Sequence, residues 1–431
     1  MGERHERLLL VSTNYAPEQA GIGPYATQLA EHWAHARGAE VHVLAGLPHY
    51  PAWRLDPAYR HVWRTVDERA GVLVHRRRHT VPPRQSALRR ALYEATILGH
   101  GLLAPPRMGC PDAVVAQVPS LAGGVLAARI ARRHRAPYIP VIQDLMGAAA
   151  AQSGIRGGDR AASAAAAVER RMLRGATLVG IIHETFRERV RALGVPDERI
   201  RLVPNWSHVS GPATPRAAVR ARLGWPPEQT VLLHSGNMGL KQGLEVLIGA
   251  AREAPEIRVV LMGDGSQRER LRELAAGTPN VEFLPPAADA DFPDVLAAAD
   301  ALVVTQRAAV LDMSVPSKLT SYFTAGRPVI ASVAAEGGTA QEIRDSAAGW
   351  LVAPEHPAAL AAAARELAAD PAAADAIGVR GADYARTRLG RAAGLARVDA
   401  LLDEALGRAL PSRSAPRPEP TDPALAFKES R

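Results

Sequence analysis

The chain of 431 residues contains one cysteine, Cys110. A single thiol excludes an internal disulfide framework and any zinc site with more than one thiolate, and it suits a reducing cytoplasm. Long apolar runs are also missing. No stretch approaches the roughly twenty residues that span a bilayer. The opening MGERHERLLLVSTNY is charged before a short apolar run, so no secretory leader is expected. A soluble or peripheral protein is the expectation. Aromatic residues make up only 4% of the chain and do not interleave with its basic residues as base-stacking platforms would, which argues against nucleic acid. No carboxylate pair is recognisable at the ~5–10 Å separation that glycoside hydrolysis uses, so hydrolysis is disfavoured.

What is present is apolar and regularly patterned. With 47% hydrophobic residues the chain can bury a large core, and its length favours two domains. Strand-like runs alternate with helical patterns from end to end: RLLLVSTN, EVHVLAG, VLVHRRR, DAVVAQV, YIPVIQD and TLVGIIH, then TVLLHSG, IRVVLMG, VEFLPP, ALVVTQ, PVIASV and GWLVAP. This alternation predicts α/β architecture with parallel sheets, and two sets of six predict two doubly wound domains. The join is expected near VPNWSHVSGPATP, giving domains over 1–205 and 206–385, and the Pro- and charge-rich tail 411–431 is expected to be disordered.

Ligands of doubly wound sheets bind beyond the carboxyl ends of the strands. Polar residues there are Asn14, Gln117, Asp144, His183 and Glu184 in the first half, and Asn237, Asp264, Gln306 and Arg307 in the second. Two such edges facing each other would form an interdomain cleft.

Several motifs are weaker than they look. GIGPYA fits the dinucleotide fingerprint but begins some eight residues past its strand, and Glu40 starts the next strand rather than ending it. Gly21 and Gly23 are better read as letting backbone N–H groups approach a ligand at a helix start. Asp289 and Asp291 resemble a metal-binding pair, yet they precede the helix FPDVLAAAD, where capping explains acids. His32 and His35, one turn apart without a third ligand, are expected to face solvent.

Basic charge is concentrated. Ten arginines lie between Arg60 and Arg107 (Arg60, Arg64, Arg69, Arg76, Arg77, Arg78, Arg84, Arg89, Arg90 and Arg107) around the apolar helix SALRRALYEATILGHGLL. The pairing suits an anionic membrane surface, and a solvated arginine-rich face is the alternative. In DMSVPSKLTSYFTAGRPVIAS, Lys318 falls in the first turn of a short helix, where a cation costs about 0.3–1 kcal/mol unless an anion arrives.

The succession YAPEQAGIGPYATQLAEHWA, IQDL, VPNW, SGNMGLKQGLEVLI, LMGDGSQRERL, VEFLPP and VPSKLTSYFTAGRPVIA resembles glycosyltransferase family 4 of the GT-B fold. Within it, the likeness is to the bacterial surface-polysaccharide branch with colanic-acid fucosyltransferases and N-acetylfucosamine transferases. The resemblance implies two Rossmann-like domains across a cleft, an N-terminal acceptor domain, a C-terminal donor domain, and a helix over 386–410 packing back on the first domain. It implies a retaining transfer from a nucleotide-diphosphate sugar with no metal or other cofactor, and UDP is expected before GDP because base recognition in this fold leans on backbone groups near Phe283 and Leu284. The ten-arginine segment around an apolar helix, in the acceptor half, points to a lipid-linked glycan acceptor and a cytoplasmic enzyme peripheral at the inner face of the membrane. Lys318, with the N–H groups after Pro316 and Ser317, would meet the leaving diphosphate; the alternative is a solvent-facing lysine. Gly236, Asn237, Lys241, Gln242, Asp264, Leu284 and Ser321 would bind donor, and Gly21, Gly23 and His183 would serve the acceptor or phosphate loop. Asp144 would orient or deprotonate the acceptor hydroxyl, or else cap a turn.

The chain departs from the wider family in places. Asn237 replaces a basic residue, and Lys241 precedes the usual lysine position, here Gln242. The pattern Glu-x7-Glu falls on Met313 and Ser321, leaving Asp312 as a candidate acid facing the sugar or as a loop residue. A GT-B epimerase and a non-catalytic sugar-nucleotide binding subunit remain alternative functions.

Overall fold

The computed structural model describes residues 5–18, 21–50, 52–82, 87–145, 158–207, 209–308 and 318–408. Asp312, Pro316, Ser317 and the tail 411–431 lie outside the described residues. The chain divides into two compact units, Met1–His208 with Arg391–Ala409, and a second beginning at Val209 and running to Gly390.

The first unit is built on strands β1 (Arg7–Val11), β2 (Glu40–Gly46), β3 (Arg64–Arg69), β4 (Val72–Arg77), β5 (Ala113–Val118), β6 (Tyr138–Ile142), β7 (Val179–Ile181) and β8 (Ile200–Leu202). They form one sheet in the order β3-β4-β2-β1-β5-β6-β7-β8, parallel throughout except for the antiparallel edge strand β3. β1 and β5 are buried along nearly their whole length, as strands covered on both faces must be. Helix α1 (Gly23–Ala36) covers one face. Helices α2 (Ala87–Leu103) and α3 (Leu121–His134) cover the other, where Leu126 and Ile97 join one apolar cluster. β3 and β8 are additions to the expected six strands. β3 carries alternating charge and gains its identity from pairing with β4; β8 has three residues.

The helix Arg391–Ala405 packs within this first unit. Val398, Leu401 and Leu402 join the core cluster of Leu8, Trp33 and Val41. Its polar side is tied as well: Asp399 accepts from Trp33 Nε1 at 3.0 Å and pairs with His32 Nε2 at 2.7 Å, and Asp403 pairs with Arg37 at 2.7 Å. His32 therefore does not face solvent alone; an acid some 370 positions along the chain meets it, a partner that helical spacing cannot reveal.

The second unit is a six-stranded parallel sheet of β9 (Val231–Ser235), β10 (Arg258–Met262), β11 (Val281–Leu284), β12 (Ala301–Thr305), β13 (Val329–Ser332) and β14 (Gly349–Val352), in the order β11-β10-β9-β12-β13-β14. The order reverses direction between β9 and β12, the switch point at which such sheets bind ligands. There the ladder ends early: Leu233 opposite Leu302 is its last pair, two residues before β9 stops. The sheet thus splits at its carboxyl edge.

The arginine segment is not a uniform basic face. Arg76 and Arg77 are buried, Arg76 on Asp67 at 3.1 Å and Arg77 donating to the carbonyl of Ala104 at 2.6 Å. Arg78 donates to the carbonyls of Arg60 and Val62 at 2.9 and 3.0 Å. These three do not present guanidinium groups to an outside partner, because their donors go to carbonyls of loops and of the chain leaving α2 and, for Arg76, to Asp67. Arg60, Arg64, Arg89 and Arg107 are exposed.

Candidate functional site

At the split edge of the second sheet, the helix Lys318–Thr324 directs two side chains one turn apart onto the end of β9. Tyr322 receives the N–H of Ser235 on its hydroxyl at 2.8 Å, which pins helix to strand. Lys318 places Nζ 3.4 Å from Nε2 of His234. A Cβ added to Gly236 would lie 3.7 Å from that same Nζ. Gly236 itself adopts φ +116, a conformation that a side chain would strain, so the backbone turns away from β9 beside the ammonium.

The neighbouring turn interlocks with this one. A Cβ on Gly263 would stand 2.0 Å from the Gly236 carbonyl oxygen, so only glycine allows the two loops to touch. Met238 N donates to the Asp264 carbonyl at 2.8 Å, and the Asp264 carboxylate accepts from Gly265 N at 2.8 Å while exposed. Leu284, ending β11, gives its carbonyl to Gly263 N at 3.1 Å. The GDGS turn thus braces the loop beside Lys318.

Around this centre the expected donor residues fall into two groups. Gly236, Asn237, Asp264 and Leu284 share the carboxyl edge of β9, β10 and β11 with Lys318. Lys241 is exposed in the short helical turn Leu240–Gln242, and its carbonyl accepts from Arg307 N at 3.0 Å. Gln242 gives its carbonyl to Thr305 Oγ1 at 2.6 Å, while its buried Oε1 has no hydrogen-bond partner among the described residues. Ser321 is buried in the Lys318 helix. Arg307 is committed to Glu245 and to Glu355, the latter at 2.9 Å, which removes it as a free ligand cation.

Burial acts on the charges. Desolvation lowers the Lys318 ammonium from its ordinary value to about 8. His234, fully buried, is held well below the usual imidazole range, first by burial and then by the charge of Lys318. The pair thus consists of a neutral imidazole and a cation that titrates close to neutrality. His234 escapes a reading by sequence because VLLHS presents it inside an apolar strand run.

In the first unit, the residues singled out are mostly occupied locally. Asp144 accepts from Leu145 N at 2.8 Å, directly after β6. His183 Nδ1 meets Thr185 Oγ1 at 3.0 Å at the start of the helix Thr185–Ala192, and Glu184 pairs with Arg187 at 2.6 Å. Gln117 accepts from Gln143 Nε2 at 2.8 Å, and Gln143 in turn accepts from Asn205 Nδ2 at 2.7 Å, linking the ends of β5 and β6 to the exit from β8. Gly23 begins α1 where a Cβ would stand 2.8 Å from the Glu18 carbonyl oxygen, and Gly21 packs on Tyr50. These glycines serve the loop's own closure. Glu18 organises it: its buried carboxylate accepts from the N–H groups of His49 and Tyr50, each at 2.7 Å, and of Tyr15 at 3.2 Å. Asp291 does not cap its helix. It pairs with Arg222 at 3.1 Å, while Asp294 accepts from Ala213 and Thr214 N–H at 2.7 and 3.0 Å.

Two α/β sheets, with a lysine at the switch point of the second, define a class that the comparisons identify. Residues 20–206 match the family described as glycosyl transferase 4-like domain, and residues 229–370 match glycosyl transferases group 1. The chain belongs to the glycosyltransferases of this GT-B type. It is similar to WcaI of Escherichia coli (strain K12), a glycosyl transferase named for colanic acid biosynthesis: 32% identical over 336 residues, 74% of this chain and 81% of that one. A D-inositol 3-phosphate glycosyltransferase of Streptomyces bingchenggensis is 30% identical over 261 residues, 56% of each chain. Among solved structures, sucrose-phosphate synthase from Thermosynechococcus elongatus gives a TM-score of 0.72 at 19% identity over 94% of this chain and 100% of that one. HepE of Anabaena in complex with UDP-glucose gives 0.65 at 19% identity over 93% and 100%. At these identities the likeness shows the fold alone.

Proposed function

We propose that this glycosyltransferase transfers a sugar, with retention, from a nucleotide-diphosphate sugar to a lipid-linked glycan acceptor in surface-polysaccharide or glycoconjugate synthesis. One observation carries the reading: Lys318 sits at the switch point of the second sheet, beside His234 and Gly236, with no carboxylate paired to it among the described residues. A departing diphosphate gains negative charge, and a partly desolvated ammonium aimed at that position stabilises it more than water would. The same cation makes a divalent metal unnecessary in this scheme. The polysaccharide role is supported by the name of the Escherichia coli relative, and UDP is the first donor base to test because HepE was solved with UDP-glucose.

The acceptor half supports work at the cytoplasmic face of a membrane. On α2, Tyr93 and Ile97 turn inward, while Leu88, Leu92 and Leu103 are 81%, 50% and 87% exposed at helical spacing. Trp63, 66% exposed, packs its ring at 4.9 Å from His100 on the same helix. Exposed Arg64, Arg89 and Arg107 supply positive charge in the same segment. Such a stripe suits a lipid surface. Among the described residues no helix is long and apolar enough to cross a membrane.

A thermal-shift screen of UDP, GDP and dTDP sugars, followed by a transfer assay with and without lipid-linked acceptor, tests the reading. Sugar transfer only with acceptor supports it. An isomerised donor without transfer would establish an epimerase, and donor binding without turnover a binding subunit.

A further inference from the structure

His234 has no role in the function proposed above, yet it is the residue that Lys318 touches. Its Nδ1 lies 3.3 Å from the Val303 carbonyl oxygen on β12. With Nδ1 donating to the Val303 carbonyl, the neutral ring turns Nε2 to Lys318 as an acceptor, and the Asn237 carbonyl is the second backbone oxygen beside the imidazole. Nε2 faces Lys318 Nζ at 3.4 Å. The contact exists because the β9–β12 ladder stops at Leu233, which frees the next residue on β9 to bridge the split sheet through its side chain.

We propose that His234 is a positioning residue: its neutral ring, fixed by Val303, holds the Lys318 ammonium at the switch point, and binding of a nucleoside diphosphate there draws a proton from solvent onto Lys318. This rests on the reading of Lys318 as the diphosphate-binding cation. Among the described residues the groups facing Lys318 are few. β9 contributes His234, and the loop after it contributes Gly236 together with the Asn237 carbonyl against the imidazole. β12 contributes only the Val303 carbonyl that orients the imidazole. The helix Lys318–Thr324 contributes Tyr322, whose hydroxyl is bound at Ser235 and is pushed well above its usual range by burial. Among the described residues no carboxylate holds the ammonium charged; burial lowers the unliganded amine to about 8, and the negative charge of an arriving diphosphate raises it. A hydrogen-bond acceptor at 3.4 Å favours the charged form, so removing the acceptor lowers the amine's pKa further.

Calorimetric titration of the full chain with UDP, and in parallel with GDP, in two buffers of different ionisation enthalpy decides the matter. Net proton uptake near pH 8.5, larger than that near pH 7.5, is expected for the nucleotide that binds more tightly. Affinity should fall with rising pH, and in His234→Leu the fall should begin at lower pH. His234→Gln, whose amide can donate to Val303 and accept from Lys318, should restore the wild-type profile. No proton uptake near pH 8.5, or an unchanged profile in a folded His234→Leu, overturns the proposal. Should His234→Leu fail to fold, His234→Ala decides in its place, with the same shift to lower pH expected and an unchanged profile overturning the proposal. Lys318→Met separates the two levels of inference. If it loses UDP or GDP affinity tenfold or more while the wild type shows no proton uptake, only the positioning role falls. If it binds as wild type does, or if neither nucleotide binds the wild type, the diphosphate reading falls and takes this proposal with it.

Discussion

Arg76 on β4 is paired with Asp67 on the antiparallel edge strand β3, Nε to Oδ2 at 3.1 Å, and the same guanidinium donates to the Ala16 carbonyl. The Arg76 side chain is only 4% exposed, so it ties the edge of the sheet to the loop leading into α1. Arg76→Gln should cost about 1–3 kcal/mol, the range for losing charge-assisted bonds to a partner that remains. Urea unfolding monitored by circular dichroism measures it, and an unchanged midpoint would show the pair to be dispensable.

Lys318→Ala should lower turnover by about 10²–10³, as loss of one group stabilising developing charge does. The fold should survive, because Tyr322 still pins the helix to Ser235. Near-normal turnover at saturating donor would remove Lys318 from the chemistry.

Replacing Leu88, Leu92 and Leu103 with serine, together with Arg89→Gln, should weaken co-sedimentation with phosphatidylglycerol vesicles and lower activity on lipid-linked acceptor. All four positions are exposed, so stability should hardly change. Each arginine at an anionic surface contributes about 1 kcal/mol, so raised salt should reproduce part of the loss. Equal vesicle binding by variant and wild type counts against this surface. Arg76, Arg77 and Arg78 are unsuitable for such a test, because their substitution perturbs the fold.

Transfer should proceed undiminished in EDTA. With Asp291 engaged by Arg222 and charge on the diphosphate met by Lys318, the scheme leaves the metal no task. Activity abolished by chelation and restored by magnesium or manganese would refute it.

Acid should destabilise the first unit in a defined window. Burial holds His75 and His79 neutral, each lowered from 6.5 to about 4. The unfolded chain therefore binds their protons as pH falls below about 6.5, whereas the folded chain binds them only near about 4. The stability present above about pH 6.5 is progressively lost between these values. Thermal melts across that range should show a falling midpoint, and His79→Leu should flatten the decline. A midpoint independent of pH would contradict the burial of these rings.

The twelve core strands, the two-sheet organisation and the position of Lys318 were all legible in the sequence. Apolar runs of strand length record burial on both faces directly, and VPSKLTSYFTAGRPVIA is a local pattern. The edge strand β3 was not legible, because RTVDER is defined by its pairing with β4 rather than by its own composition. Nor were the fates of the arginines: ten positive charges in a segment look alike until backbone carbonyls such as those of Ala104 and Val62 are brought to some of them. His234 shows the division most clearly. Its apolar neighbours assign it to a strand, but only the early end of the β9–β12 ladder makes its imidazole the partner of a lysine 84 residues away, because tertiary pairing alone decides which polar atoms remain to be satisfied.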